Sequence, residues 1–331
     1  MDIHSFAEEI FNECPCRFNK KEKKAMLQKA RQAMLEAGWS EDEVRVQEHK
    51  GLISSQNLII GNPAEAGNYI TAHYDTPGRS GWMLTSSKLV GMTGANIVFI
   101  VAVMVVAFAM SFGVEVLTGF LAERLPDTLS DAWADVIFFG ISMLPALLYF
   151  VFMAAIIAIK NPNNRNDNTS GTLATLKCAA LAAANPEMRK SCCFVLFDNE
   201  ELGLVGSAQF AKWCKGNGVK LEDKKVYNLD CVGAGEQLYA ARTGKRTAAQ
   251  QEMLDRLKGA GLELEEKRSA LIFMSDHASF PNGYMLSYMR KSKIGAPYIP
   301  NLHTPKDVEC DVDMIDDLAE RLAKAVCSGN C

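Results

Sequence analysis

The sequence has no excess of positive charge. Its 35 Lys and Arg against 39 Asp and Glu give a formal net charge of -4 and a pI near 5.8, so the broad basic footprint of a nucleic-acid binder is missing. The one basic run, Lys20 to Lys24, lies in a helical pattern and reads as a solvated face. An ordered cysteine framework is also missing. Ten cysteines are scattered irregularly, among them Cys14 and Cys16, adjacent Cys192 and Cys193, and Cys327 and Cys331, with no CxxC pair. The opening MDIHSFAEEIF has neither the basic start nor the apolar core of a secretory signal. The expectation is therefore reduced thiols in a cytoplasmic setting, several buried as small hydrophobes. No internal repeat or low-complexity tract occurs.

Two stretches lack charge altogether. Leu89 to Val114 is 26 residues long and Val136 to Ile159 is 24. At about 1.5 Å per helical residue each can cross a hydrocarbon core about 30 Å thick. The segment between them carries Glu115, Glu123, Asp127, Asp131 and Asp135 against a single Arg124. Residues 89–159 thus read as a two-helix transmembrane hairpin (89–114 and 136–159) that contacts membrane lipid. Arg79 and Lys88 precede it, and Lys160 and Arg165 follow it. The positive-inside rule puts the acidic loop outside and the rest of the chain at the cytoplasmic side of the inner membrane. A hydrophobic lid or a dimer contact is the competing reading. Asn96 and Pro145 keep a buried core hairpin open, although membrane helices tolerate both.

The remainder alternates helices and strands. Asn19 can cap a helix through KKEKKAMLQKARQAMLEAG that stops at Gly38. Strand patterns follow at 52–60 and 68–75, then at 191–201, 225–233 and 283–289, with helical patterns at 169–184, 204–214, 246–261 and 312–327. This order predicts an α/β fold: one mixed, largely parallel central sheet covered by helices on both faces, with the apolar helical hairpin inserted. A single domain would then run over residues 1–331, interrupted by 89–159.

In such sheets functional groups collect at the carboxyl ends of strands. The predicted ends hold His73 and Asp75, then Asp198, Glu200 and Glu201, then Asp230; Asp167 opens a helix, and His303 lies in a loop. Imidazole and carboxylate are ligand types that suit zinc. Each residue alone has an ordinary reading. Asp167 could cap its helix, Glu200 and Glu201 could be first-turn acids, and a loop histidine could simply face solvent.

Taken together, the motifs HYD (73–75), NDNTSG (166–171), FDNEELGLVGS (197–207), NLD (228–230), SDHASF (275–280) and NLHTP (301–305) are in the order of a known family. The chain resembles the co-catalytic zinc aminopeptidases of peptidase clan MH, which also include glutaminyl cyclases and some carboxypeptidases. The resemblance implies a zinc exopeptidase-like fold and two Zn2+ ions. It implies Asp167 as the bridging ligand, His73 and Asp230 on one ion, and Glu201 and His303 on the other. Glu200 would be the general base toward a metal-bridged water, and Asp75 would be a catalytic-site residue holding His73 through its second ring nitrogen. Asp307 would act similarly near His303. His277 would line the substrate pocket and steady an oxyanion. The expected substrate is a peptide; cobalt or manganese could also occupy such a site. The alternatives are glutaminyl cyclase-like acyl transfer and a non-catalytic membrane-anchored binding protein. The sequence departs from the family pattern in one place. Asp167 follows Asp75 by 92 residues, where the family usually has a short connection, and the apolar hairpin fills the gap. The hairpin therefore falls between two ligands, where it would hold the cleft against the membrane.

Overall fold

The structure is a computed structural model that describes residues 1–51, 53–124, 131–268 and 274–327. Asn19 caps its helix through both Lys21 and Glu22 backbone N–H groups, and the Glu22 side chain returns to the Asn19 N–H. This reciprocal pair fixes where the helix starts. In chain order the elements are α1 (Ile3–Glu13), α2 (Lys20–Glu36), β1 (Val44–His49), β2 (Ser55–Ile60), β3 (Asn68–His73), α3 (Ser87–Ala122), α4 (Asp131–Ala158), α5 (Gly171–Ala183), α6 (Pro186–Ser191), β4 (Cys192–Phe197), α7 (Val205–Gly216), β5 (Lys225–Leu229), β6 (Gln237–Arg242), α8 (Ala248–Gly259), β7 (Leu264–Arg268), β8 (Gly283–Lys291), β9 (Pro297–Tyr298) and α9 (Val312–Cys327).

The sheet order is β1-β2-β4-β3-β5-β8-β6-β7, with β9 on β8. Its centre, β4-β3-β5-β8, is parallel, while β1 and β2 on one flank and β6 on the other pair antiparallel. The fold is thus mixed and largely parallel at its core. Alternation along the strands feeds two cores. Leu58, Ile70, Phe194 and Leu196 point to one face, under α1, α2, α5, α8 and α9. Ile59, Tyr69, Val195 and Phe197 point to the other, where Phe210 of α7 packs. Central strands buried on both faces are continuously apolar, as CCFVLF in β4 illustrates.

The hairpin departs from its expected bounds. The α3 helix continues past Val114 to Ala122, so Glu115 is a helical residue, and α4 begins at Asp131. Asp127, expected in the acidic connection, lies outside the described residues, as does Cys331. Both helices are long and apolar enough to cross a membrane, and within their most apolar windows no residue is buried. Phe108 is 76% exposed, Phe150 69% and Phe139 67%. Each such side chain forfeits up to about 1.5–3 kcal/mol when left in water rather than in an apolar medium. Among the described residues of the hairpin, the base of α3 is the part that packs on the sheet, with Ser87, Gly91, Met92 and Ala95 buried. There Gly91, at φ +73°, lies so close to Ala296 that a Cβ would sit 2.5 Å from that residue's Cβ, and Met92 joins Tyr239, Met285 and Ile299.

Candidate metal centre

The parallel strands bring the predicted ends together. His73 is the last residue of β3; the Glu200–Glu201 turn follows β4, and Asp230 follows β5. Asp167 lies in the turn before α5, and His303 in the loop after β9. His73 Nε2 lies 3.5 Å from Asp167 Oδ1 and 3.8 Å from Asp230 Oδ1. His303 Nε2 lies 3.0 Å from Asp167 Oδ2 and 3.4 Å from Glu201 Oε1. The two oxygens of Asp167 therefore face two separate groups. Among the described residues, His73, Asp167 and Asp230 form one cluster with ligand atoms within 4.8 Å of one another. Asp167, Glu201 and His303 form a second, and His73, Glu200 and Glu201 a third.

The electrostatics suit a cation. Burial alone would depress His73, yet Glu200, Asp230 and Asp75 raise it well above its usual value. Burial likewise opposes charge on His303, but Glu201 and Asp167 raise it. Burial, with the Glu201, Asp276 and Asp230 carboxylates, pushes Glu200 well above the ordinary carboxylate range. Asp230 moves the other way: burial would raise it, but its contact with His73 outweighs this and holds it at about 2. A ring of carboxylates that draws both imidazoles toward the positive form is a field built for positive charge. Two nitrogens and three carboxylates within a few ångströms are donors that fit zinc.

Some expected roles look different in space. Asp75 is buried, but His73 Nδ1 is closer to its backbone carbonyl, at 3.2 Å, than to its carboxylate, at 3.6 Å. The carboxylate instead accepts the backbone N–H groups of Glu200, at 3.1 Å, and Glu201, at 3.3 Å. Asp307 does not serve His303. It accepts the N–H groups of Asn166, at 3.0 Å, and Asp167, at 2.9 Å, while the group next to His303 Nδ1 is the Ser80 hydroxyl. His277 is fully buried in the turn Asp276–Ser279, and burial lowers it to about 4, so its imidazole is neutral.

Three further residues bear on the site without having been singled out. Asp276 is fully buried, and burial lifts its carboxyl to about 7. Its place directly before His277 was the available signal. Arg17 is fully buried and donates to the Tyr74 carbonyl at 2.7 Å and to Thr169 Oγ1 at 2.7 Å, so one guanidinium ties the His73 segment to the Asp167 segment. Lys23 corrects the reading of its run as a solvated face. It is buried, 2.7 Å from Asp198 Oδ1, and it donates to Asn199, just before Glu200.

The sheet, with metal-ligand chemistry at its carboxyl edge, is that of the zinc exopeptidases. Peptidase family M28 matches residues 162–326. The chain is thereby recognised as kin of the co-catalytic zinc peptidases, with the M28 signature over that stretch. Solved structures share the fold at low identity. A glutaminyl cyclase from Porphyromonas gingivalis has a TM-score of 0.59 at 15% identity, covering 98% of this chain and 96% of that one. The LapA aminopeptidase of Legionella pneumophila gives 0.58 at 14%, covering 99% and 68%. A Zn-dependent exopeptidase from Parabacteroides distasonis gives 0.57 at 14%, covering 98% and 97%. No curated protein matches the sequence. The family match indicates a zinc-dependent, hydrolase-type enzyme; the solved structures, at 14–15% identity, show the fold.

Proposed function

We propose that this chain is a two-zinc aminopeptidase that hydrolyses peptide bonds at the cytoplasmic face of a membrane. The observation that carries the reading is the position of Asp167, with one oxygen toward His73 and the other toward His303. His73, Asp230 and Asp167 would hold one ion, and Asp167, Glu201 and His303 the other. Bound zinc supplies Lewis-acid polarisation of a carbonyl and a more acidic water.

The chain's own groups do the rest. Glu200, raised by burial and by neighbouring carboxylates, takes a proton from the attacking water. As the C–N bond breaks, it returns that proton to the leaving amine. Asp75 fixes the turn that carries both glutamates. His277, neutral and enclosed, can donate toward the developing oxyanion without bringing a charge.

The exposed apolar surface of α3 and α4 supports membrane attachment. The basic flanks support the cytoplasmic orientation.

Metal analysis of the full chain, followed by assay of peptides with free and blocked N-termini, tests the activity. Two zinc equivalents and release of amino acids from free N-termini only are expected. One zinc with loss of ammonia from N-terminal glutamine would instead establish the cyclase reading. Cleavage of blocked peptides would contradict the aminopeptidase assignment.

A further inference from the structure

The apolar hairpin leaves and rejoins the domain at one point, and that point touches His303. Gly78 and Lys160 pair antiparallel. The Arg79 N–H donates to the Ile159 carbonyl at 2.8 Å, and the Asn161 N–H to the Pro77 carbonyl at 3.2 Å. Two chain segments, one entering α3 and one leaving α4, are thus laced side by side.

Both segments grip the loop 301–305. From the outgoing side, the Gly81 N–H donates to the His303 carbonyl at 3.1 Å, and Ser80 Oγ lies 2.8 Å from His303 Nδ1. The approach is too close for any side chain: a Cβ on Gly81 would lie 2.2 Å from Thr304 Cγ2 and 2.3 Å from the Leu302 carbonyl oxygen. From the returning side, buried Asn161 donates its amide to the Thr304 carbonyl at 3.0 Å, and Asn163 donates to the Pro305 carbonyl at 2.7 Å. The loop needs this grip. Asn301 and His303 both sit at φ +55°, a left-handed conformation that asparagine tolerates but that for His303 persists only where the surroundings over-determine it.

The chemistry of His303 gives the grip a function. Its Nε2 faces Asp167 and Glu201. A ligating nitrogen must be bare, so Nδ1 carries the proton and donates it to Ser80 Oγ. We propose that the root of the hairpin is part of the metal centre: Ser80 is a positioning residue that sets the tautomer and aim of His303, and Asn161 closes the clamp from the other side. The membrane segment and one metal position are then one mechanical unit, so the hairpin is more than a tether. This rests on the metal reading above.

The test uses the full chain in detergent, stripped of metal and titrated with Co2+ against a competing chelator, with the visible spectrum as readout. Ser80→Ala is expected to weaken one of two bound ions about 10–100-fold, the range seen when a ligand's hydrogen-bond partner is removed, and to leave the other unchanged. Ser80→Thr restores the hydroxyl and the affinity. Asn161→Ala weakens the same ion as Ser80→Ala. Parent-like binding by Ser80→Ala, or equal weakening of both ions in either alanine variant, would overturn the proposal while leaving the metal reading intact. A parent chain that binds no cobalt would remove the metal reading itself, and the proposal with it.

Discussion

The carboxylate of Asp75, two residues beyond His73 in sequence, accepts the Glu200 backbone N–H at 3.1 Å and the Glu201 N–H at 3.3 Å. One buried side chain thus couples the end of β3 to the turn after β4 that carries the proposed base and a proposed ligand. Asp75→Asn keeps the shape but turns one of the two acceptors into a donor facing an N–H. The expected outcome is a fall in kcat of about 10–100-fold with KM little changed, read from steady-state kinetics. Parent-like kcat would show that the turn holds itself.

Arg17 is expected to matter for stability as well as for the site. Its guanidinium satisfies the Tyr74 and Cys14 carbonyls and Thr169 Oγ1 in a fully buried place. Arg17→Met fills most of the space but leaves these acceptors unpaired, at a cost of about 3 kcal/mol. A thermal midpoint lower by about 4–6 °C is the corresponding reading, at an unfolding entropy of about 2.1 cal/mol/K per residue. A shift under about 2 °C would mean that water replaces the guanidinium.

Acid sensitivity has an identifiable source away from the metal centre. Burial works against ionisation of Glu266, yet Arg246, Tyr284 and Arg242 outweigh it and hold the carboxyl at about 2, below its ordinary 4.5. A depressed carboxylate contributes stability that is complete above about pH 4.5 and is lost as pH falls toward about 2. Glu266→Gln should therefore be less stable than the parent at pH 6. The gap should close as pH falls through this window, as followed by thermal unfolding. A gap independent of pH would assign the loss to packing.

The sequence marked most of the fold, for physical reasons. Central strands buried on both faces leave continuous apolar runs such as CCFVLF, and α2 declares its start through Asn19 and Glu22. The flanking strands β1 and β7 went unmarked because exposed or half-polar runs such as VRVQEH and LEEKR carry no clear period, and β6 because its buried apolar run, LYAA, is only four residues long. The site residues were legible as types and order, since ligands must be His, Asp or Glu at strand ends. Their partners were not. Lys23 looks like one lysine in a solvated run, and only tertiary packing turns it inward onto Asp198. Ser80 and His303 are 223 residues apart, and no local pattern relates them. The extension of α3 to Ala122 was hidden by Glu115, which read as the end of an apolar span.

Cell fractionation addresses the hairpin. With the apolar windows of both helices unburied, the intact chain is expected in the membrane fraction, released by detergent but not by high salt or alkaline carbonate. Release by salt alone would argue for a surface contact. Recovery in the soluble fraction without detergent would rule out spanning.

In the proposed mechanism Glu200 moves the proton while five other side chains hold the metal. Turnover and zinc content of Glu200→Gln, measured on the same sample, test it most directly. Peptide hydrolysis is expected to fall by at least about 100-fold while zinc content stays at the parent level. Retained activity with zinc bound would contradict it.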